Sequence, residues 1–245
     1  MTDGEPEAGL TLRRLIASIV TAPSTDLPPG GLGAELTGWA TGAPAFRAYL
    51  ERYRDKIRKK LRGSADDEAR ADVRAELLFA RLLLANRRFE LVFEAHGSQR
   101  RGPDYSVLFR RTTPFDVEVT RLRRAPTEGA VVGTTAAKVR QLTAGTPNVL
   151  VLACDAVDAR ALDLSAAMAT LRRRADAWDG TFFGTRGFDT RRAFYDRFLR
   201  LGALVAWCPD TDGQARADAW VNPAARTAAP HRALAAVVEA LRARP

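Results

Sequence analysis

Lysine is scarce in this chain: Lys56, Lys59, Lys60 and Lys138 are the four lysines among 38 basic side chains. Histidine is scarcer still. His96 and His231 alone argue against His-rich zinc sites and most His-based catalytic triads. The two cysteines, Cys154 and Cys208, lie far apart in apolar runs, so a disulfide framework is not expected; two buried thiols fit a reducing compartment. No run reaches the roughly 20 apolar residues of a membrane span. The opening "MTDGEPEAGL" is acidic and lacks the charged start of a signal peptide. The expectation is a cytoplasmic protein with no membrane contact.

What is present is arginine, alanine and apolar side chains. The 245 residues are 46% hydrophobic, enough for one sizeable core with a small helical appendage. A net charge of +9 and a pI near 10.3 point to a polyanionic partner, nucleic acid first; a solvated basic surface is the plain alternative. The Arg and Ala bias suggests a GC-rich bacterial genome, which raises arginine for reasons unrelated to function.

Residues 1–10 read as disordered, 11–22 as a short amphipathic helix and 23–33 as a linker. "APAFRAYLERYRDKIRKKLRG" (43–63) reads as a helix with Pro44 near its start and Gly63 at its end. Its terminal cations either complement the helix dipole or contact phosphate. A second helix is expected over 64–89, capped by Ser64, with a stripe of Val73, Leu77, Ala80 and Leu84. Glu76 falls on the edge of that stripe, as an ion-paired residue or a site residue. Strands follow at 88–95, 104–110 and 115–122, the last two as a hairpin around "RTTP". A crossover helix is expected over 127–145, closed by Gly145, and then a doubly covered strand at 148–155. Helices at 163–178, 191–201 and 230–243 and strands at 203–208 and 217–222 complete a mixed α/β chain.

The chemistry lies in the hairpin. In "FDVEVTRL" the period of two puts Asp116, Glu118 and Thr120 on one face and Phe115, Val117 and Val119 on the other. Asp104 opens the paired strand after Pro103, and a bend there can bring it beside Glu118. Two close carboxylates repel unless a cation lies between them, and Mg²⁺ favours one or two carboxylates plus waters and phosphate. Glu94 and Asp116 read as surface strand residues ahead of extra ligands, and Tyr105 and Trp207 as packing residues ahead of base-stacking ones. "TRLRR" (120–124), Arg100 and Arg101 are either ordinary basic loop or a phosphate grip.

Glu76, "GPD" (102–104) and "VEVT" (117–120) resemble the PD-(D/E)XK, or restriction-endonuclease-like, nuclease superfamily, over about residues 64–155. The resemblance implies an αβββαβ core with a mixed sheet flanked by helices, preceded by an N-terminal helical extension. The division would be 1–63 for tail, linker and basic helix and 64–245 for the nuclease-like domain. It implies Mg²⁺ or Mn²⁺ held by Asp104 and Glu118, assisted by Glu76, and hydrolysis of phosphodiester bonds in DNA. Thr120 stands where that superfamily carries lysine. Lys138, on the crossover helix with Gln141 one turn away, is the candidate for a displaced lysine; a solvated helix residue is the alternative. The other reading of Thr120 is an inactive nuclease fold that binds nucleic acid or a protein. A homodimer is compatible with either.

Overall fold

Apolar residues spaced three and four apart build the amino-terminal part of the chain as helices. They are α1 (Glu5–Val20), α2 (Leu32–Ala40), α3 (Pro44–Arg62) and α4 (Asp67–Leu84). The structure, a computed structural model of the whole chain, describes residues 5–20, 30–95, 102–123, 125–154, 162–208 and 215–243. It divides into two compact units, Met1–Ala85 and Asn86–Arg244. The sequence reading sets the division after residue 63; here α4 belongs with the helices before it. Among the described residues no helix is long and apolar enough to cross a membrane.

Within the first unit α3 packs on α1, α2 and α4. It buries Phe46, Tyr49, Leu50, Tyr53 and Ile57, one face of a 3.6-residue period, and leaves Arg52, Arg54, Lys56, Lys59 and Arg62 exposed. Pro44 occupies the first turn, where a missing N–H costs no helical bond. The helix α1 starts at Glu5, inside the stretch expected to be disordered, and α2 starts inside the expected linker. Glu35 of α2 accepts two bonds of 2.6 Å from the Arg74 guanidinium of α4, which fastens a helix too short to hold itself. The cap of α4 is Asp66, whose carboxylate accepts from the Ala69 N–H at 2.7 Å, and not Ser64, whose hydroxyl donates to the Lys60 carbonyl. Asp67 and Glu68 then fall in the first turn, as the dipole favours.

The second unit is a six-stranded mixed sheet flanked by helices. Its strands are β1 (Phe89–Phe93), β2 (Tyr105–Phe109), β3 (Thr113–Leu122), β4 (Asn148–Cys154), β5 (Leu201–Cys208) and β6 (Arg216–Val221), and they lie side by side in chain order. β1, β2 and β3 pair antiparallel, β3, β4 and β5 parallel, and β5 and β6 antiparallel. The tight turn between β2 and β3 holds Arg110 and Arg111 at φ of 51° and 62°, closed by the Thr112 N–H on the Phe109 carbonyl. Two left-handed residues suit the twist of a hairpin. Every residue of β4 is buried, which explains its unbroken apolar run.

The crossover from β3 to β4 is α5 (Glu128–Lys138), followed by a single 3-10 turn at Val139–Gln141. It is shorter than the sequence pattern suggests, and Gly145 lies beyond it at φ 86°. Between β4 and β5 run α6 (Leu164–Asp176), α7 (Gly180–Gly184) and α8 (Arg191–Phe198); α9 (His231–Arg242) closes the chain on β5 and β6. One face of the sheet, with Leu122, Leu150, Leu152, Cys154 and Leu204, packs against Val131, Val132 and Ala136 of α5, Met168 and Leu171 of α6, and Phe194 and Phe198 of α8. Leu122 stands four residues after Glu118, so Glu118 points to this same helix-covered face.

Candidate active site

The β2–β3 ladder ends at Tyr105↔Val117, and continuing the register by one residue sets Asp104 opposite Glu118. Opposed residues of an antiparallel pair carry their side chains on one face, with Cβ atoms about 4.5–5.5 Å apart. The Asp104 side chain completes the pairing that its backbone leaves. Its Oδ2 accepts from the Val119 N–H at 2.9 Å, while its carbonyl accepts from the Glu94 N–H at 2.8 Å. The carboxylate is thereby held on the strand that carries Glu118.

Glu118 is 3% exposed. Its Oε1 accepts from Lys138 Nζ at 2.8 Å, and the same ammonium donates to Gln141 Oε1 at 3.1 Å. Lys138 is the last residue of α5, and the 3-10 turn that follows swings Gln141 back onto it. Glu118, Lys138 and Gln141 thus meet through hydrogen bonds, and Asp104 is bonded to the residue that follows Glu118 on its strand. The solvated alternative for Lys138 does not describe it. Thr120 lies two residues past Glu118 on the same face, partly buried.

Asp116 corrects the sequence reading, which puts it on the surface. It is 3% exposed and held by hydroxyls: Ser106 Oγ donates to Oδ1 and Thr143 Oγ1 to Oδ2, each at 2.7 Å. Asn148 completes the network. Its Oδ1 accepts from the Thr143 N–H, and its Nδ2 donates to the carbonyls of Thr143, Thr146 and Arg200. The effect is to tie the loop after Gln141 to the strand of Glu118. A signal for it was available, because period-two alternation gives Asp116 the same facing as Glu118.

Glu76 lies in the other unit. It is 6% exposed on α4, and its Oε2 pairs with Lys60 Nζ of α3 at 2.5 Å. Arg100, Arg101 and Arg124 lie outside the described residues, whereas Arg121 is half-buried and Arg123 exposed. Tyr105 and Trp207 are fully buried and pack, as expected. Glu94 is half-buried at the end of β1, with φ 45°.

A carboxylate offers two oxygens and about four lone-pair sites, so it can accept several donors at once. Among the described residues no group of three or more His, Cys, Asp or Glu side chains gathers to hold a metal ion. Two hard oxygen donors beside an ammonium suit a small divalent cation that retains much of its water. Comparisons of the chain with family models, curated proteins and solved structures find no match.

Proposed function

We propose that the second unit is a restriction-endonuclease-like domain that hydrolyses phosphodiester bonds, in DNA first, with Mg²⁺ or Mn²⁺ at Asp104 and Glu118. The observation that carries this reading is the Lys138 ammonium on Glu118, next to an Asp104 pinned to the same strand. It answers the objection that Thr120 raises, since a lysine from the crossover helix reaches the acid that lacks one two residues on. When bound, a divalent ion there offsets phosphate charge and acidifies a water.

The chain's own residues do the rest. Asp104 and Glu118 supply the ligands, and the Val119 N–H fixes the aim of Asp104. Lys138 is a compact point donor beside the ligand it orients, and its charge favours the attacking water and the charge growing on the phosphate. Gln141 is a positioning residue acting through Lys138. Asp116 and Thr143 hold the loop that follows. The hydrogen bonds that support the reading lie in the second unit; Glu76, the assisting acid of the resemblance, pairs with Lys60 within the first.

The test is cleavage of labelled DNA by the full chain with Mg²⁺, with Mn²⁺ and with chelator. Binding is read in the same samples, and the +9 charge sets the expectation that affinity falls steeply with salt, by about 0.9 in log K per log salt for each phosphate contacted on duplex DNA. Salt-dependent binding without cleavage favours the second reading, an inactive nuclease fold, for which Thr120 is the supporting residue. Absence of both removes nucleic acid from the account.

A further inference from the structure

The two cysteines, distant in sequence, meet at the carboxyl ends of the central parallel strands. The β4–β5 ladder ends at Ala153↔Trp207, so the next register step sets Cys154 beside Cys208. Both thiols face the same side: Cys154 belongs to the core beneath α5, α6 and α8, and Cys208 packs against it. Neighbouring strands lie about 4.8 Å apart, within the roughly 4.4–6.8 Å between Cα atoms that a disulfide spans. The two differ in access, since Cys154 is 1% exposed and Cys208 only half-buried. A hydrogen bond with Cys154 pulls the Cys208 thiol below its ordinary pKa, against burial; Arg216, its ladder partner on β6, helps and Asp218 opposes. An accessible thiol with enhanced thiolate character beside a shielded one is the arrangement of an attacking and a resolving cysteine.

We propose that Cys154 and Cys208 are an oxidative modification site, closing to a reversible disulfide across β4 and β5 when the chain meets hydrogen peroxide. The Cys208 sulfur attacks one peroxide oxygen and the O–O bond breaks. Cys208 becomes a sulfenic acid, and the departing hydroxide leaves as water with the thiol proton. The Cys154 sulfur then attacks the Cys208 sulfur; the S–O bond breaks, the S–S bond forms and a second water leaves. Two thiols lose two electrons and peroxide is reduced to two waters. Parallel neighbours do not offer the closest Cβ approach, so the bond is a labile one that a dithiol reverses. Cys154 stands four residues along β4 from Leu150, the ladder partner of Glu118, or about 13 Å at 3.3 Å per residue. The site is therefore separate from the carboxylate pair.

The experiment exposes the reduced full chain to hydrogen peroxide and reads intact mass and iodoacetamide labelling under denaturing conditions. The expected result is a monomer lighter by two hydrogens, with both thiols blocked and both restored by dithiothreitol. In Cys154→Ala the reaction stops at a Cys208 sulfenic acid that dimedone traps; in Cys208→Ala nothing is trapped. Three results on the unsubstituted chain, which need no variant to fold, overturn the proposal. They are a dimedone adduct with Cys154 still labelled, a disulfide found only between chains, and two unreacted thiols at a peroxide dose that oxidises free cysteine.

Discussion

Lys60–Glu76 in the helical unit and Lys138–Glu118 in the sheet unit are the same chemical pair in two settings. The lysine side chains keep 25% and 27% of their surface exposed, the glutamates 8% and 4%. Elsewhere the carboxylates pair with arginine, as in Arg47–Glu51, Arg58–Asp55 and Arg226–Asp196. In a chain with four lysines, two serve the two glutamates that are buried among the described residues. The reason is shape. An ammonium on a flexible stem reaches one buried oxygen as a point donor while its methylenes pack, whereas a planar guanidinium is shaped to meet both oxygens at once. The chemistry of the pair alone does not distinguish the two settings. The surroundings of Glu118 are Asp104 bonded to the next residue of the same strand, Gln141 on the same ammonium, and a strand held by hydroxyls at Asp116. Glu76 is the one acid among the buried residues of α4.

The largest expected effect separates the two acids. Asp104→Ala and Glu118→Ala should each abolish Mn²⁺ binding in calorimetry and all metal-dependent cleavage, with the melting transition retained. Glu76→Ala, the assisting acid, should weaken both without abolishing either; unchanged metal binding and cleavage there would confine the site to the second unit.

Next come the lysines. Lys138→Ala should slow cleavage by ~10²–10³, about 3–4 kcal/mol of transition-state stabilisation, and Lys138→Arg nearly as much. Thr120→Lys joined to Lys138→Ala should recover part of the rate. Full activity in Lys138→Ala would reduce its ion pair to the structural kind that Lys60 makes.

Stability should show the opposite pattern, with the two pairs alike. Lys60→Met and Lys138→Met each leave a buried glutamate short of its donor, and urea unfolding should register a loss of about 1–3 kcal/mol in both. The figure stays below the ~3–5 kcal/mol of a fully buried pair because both lysines meet water. A large loss for one and none for the other would show that the settings differ in more than chemistry. Thr143→Val removes one of two hydroxyls from buried Asp116, and the same measurement should show about 1–3 kcal/mol. Smallest is Asp66→Ala, the loss of a helix cap in the first unit, at ~1 kcal/mol; Ser64→Ala should cost less, since Ser64 is not the cap.

Much of this was legible because it is local. Alternation over 104–110 and 115–122 defines the hairpin, and the same period assigns Glu118 and Asp116 one facing. The unbroken apolar run 148–154 announces a strand covered on both faces. The helix α2 was not legible: its nine residues carry little periodicity, and a bond from Arg74, some forty positions away in the chain, fastens it. Burial of Asp116 was missed for a related reason. An aspartate in a strand reads as exposed until its donors are known, and Thr143 comes from a loop beyond the crossover helix.

The sequence by itself determined the strands and the longer helices, the period of each, and which side chains share a face, since these follow from backbone geometry within a few residues. Tertiary structure alone decided which groups meet. It closed Lys138 onto Glu118 across twenty residues, gave Glu76 to Lys60, satisfied Asp116 with hydroxyls, and set Cys154 beside Cys208. Those contacts depend on strand register and helix packing, which are fixed by the burial of the whole core, and a local pattern carries no information about them.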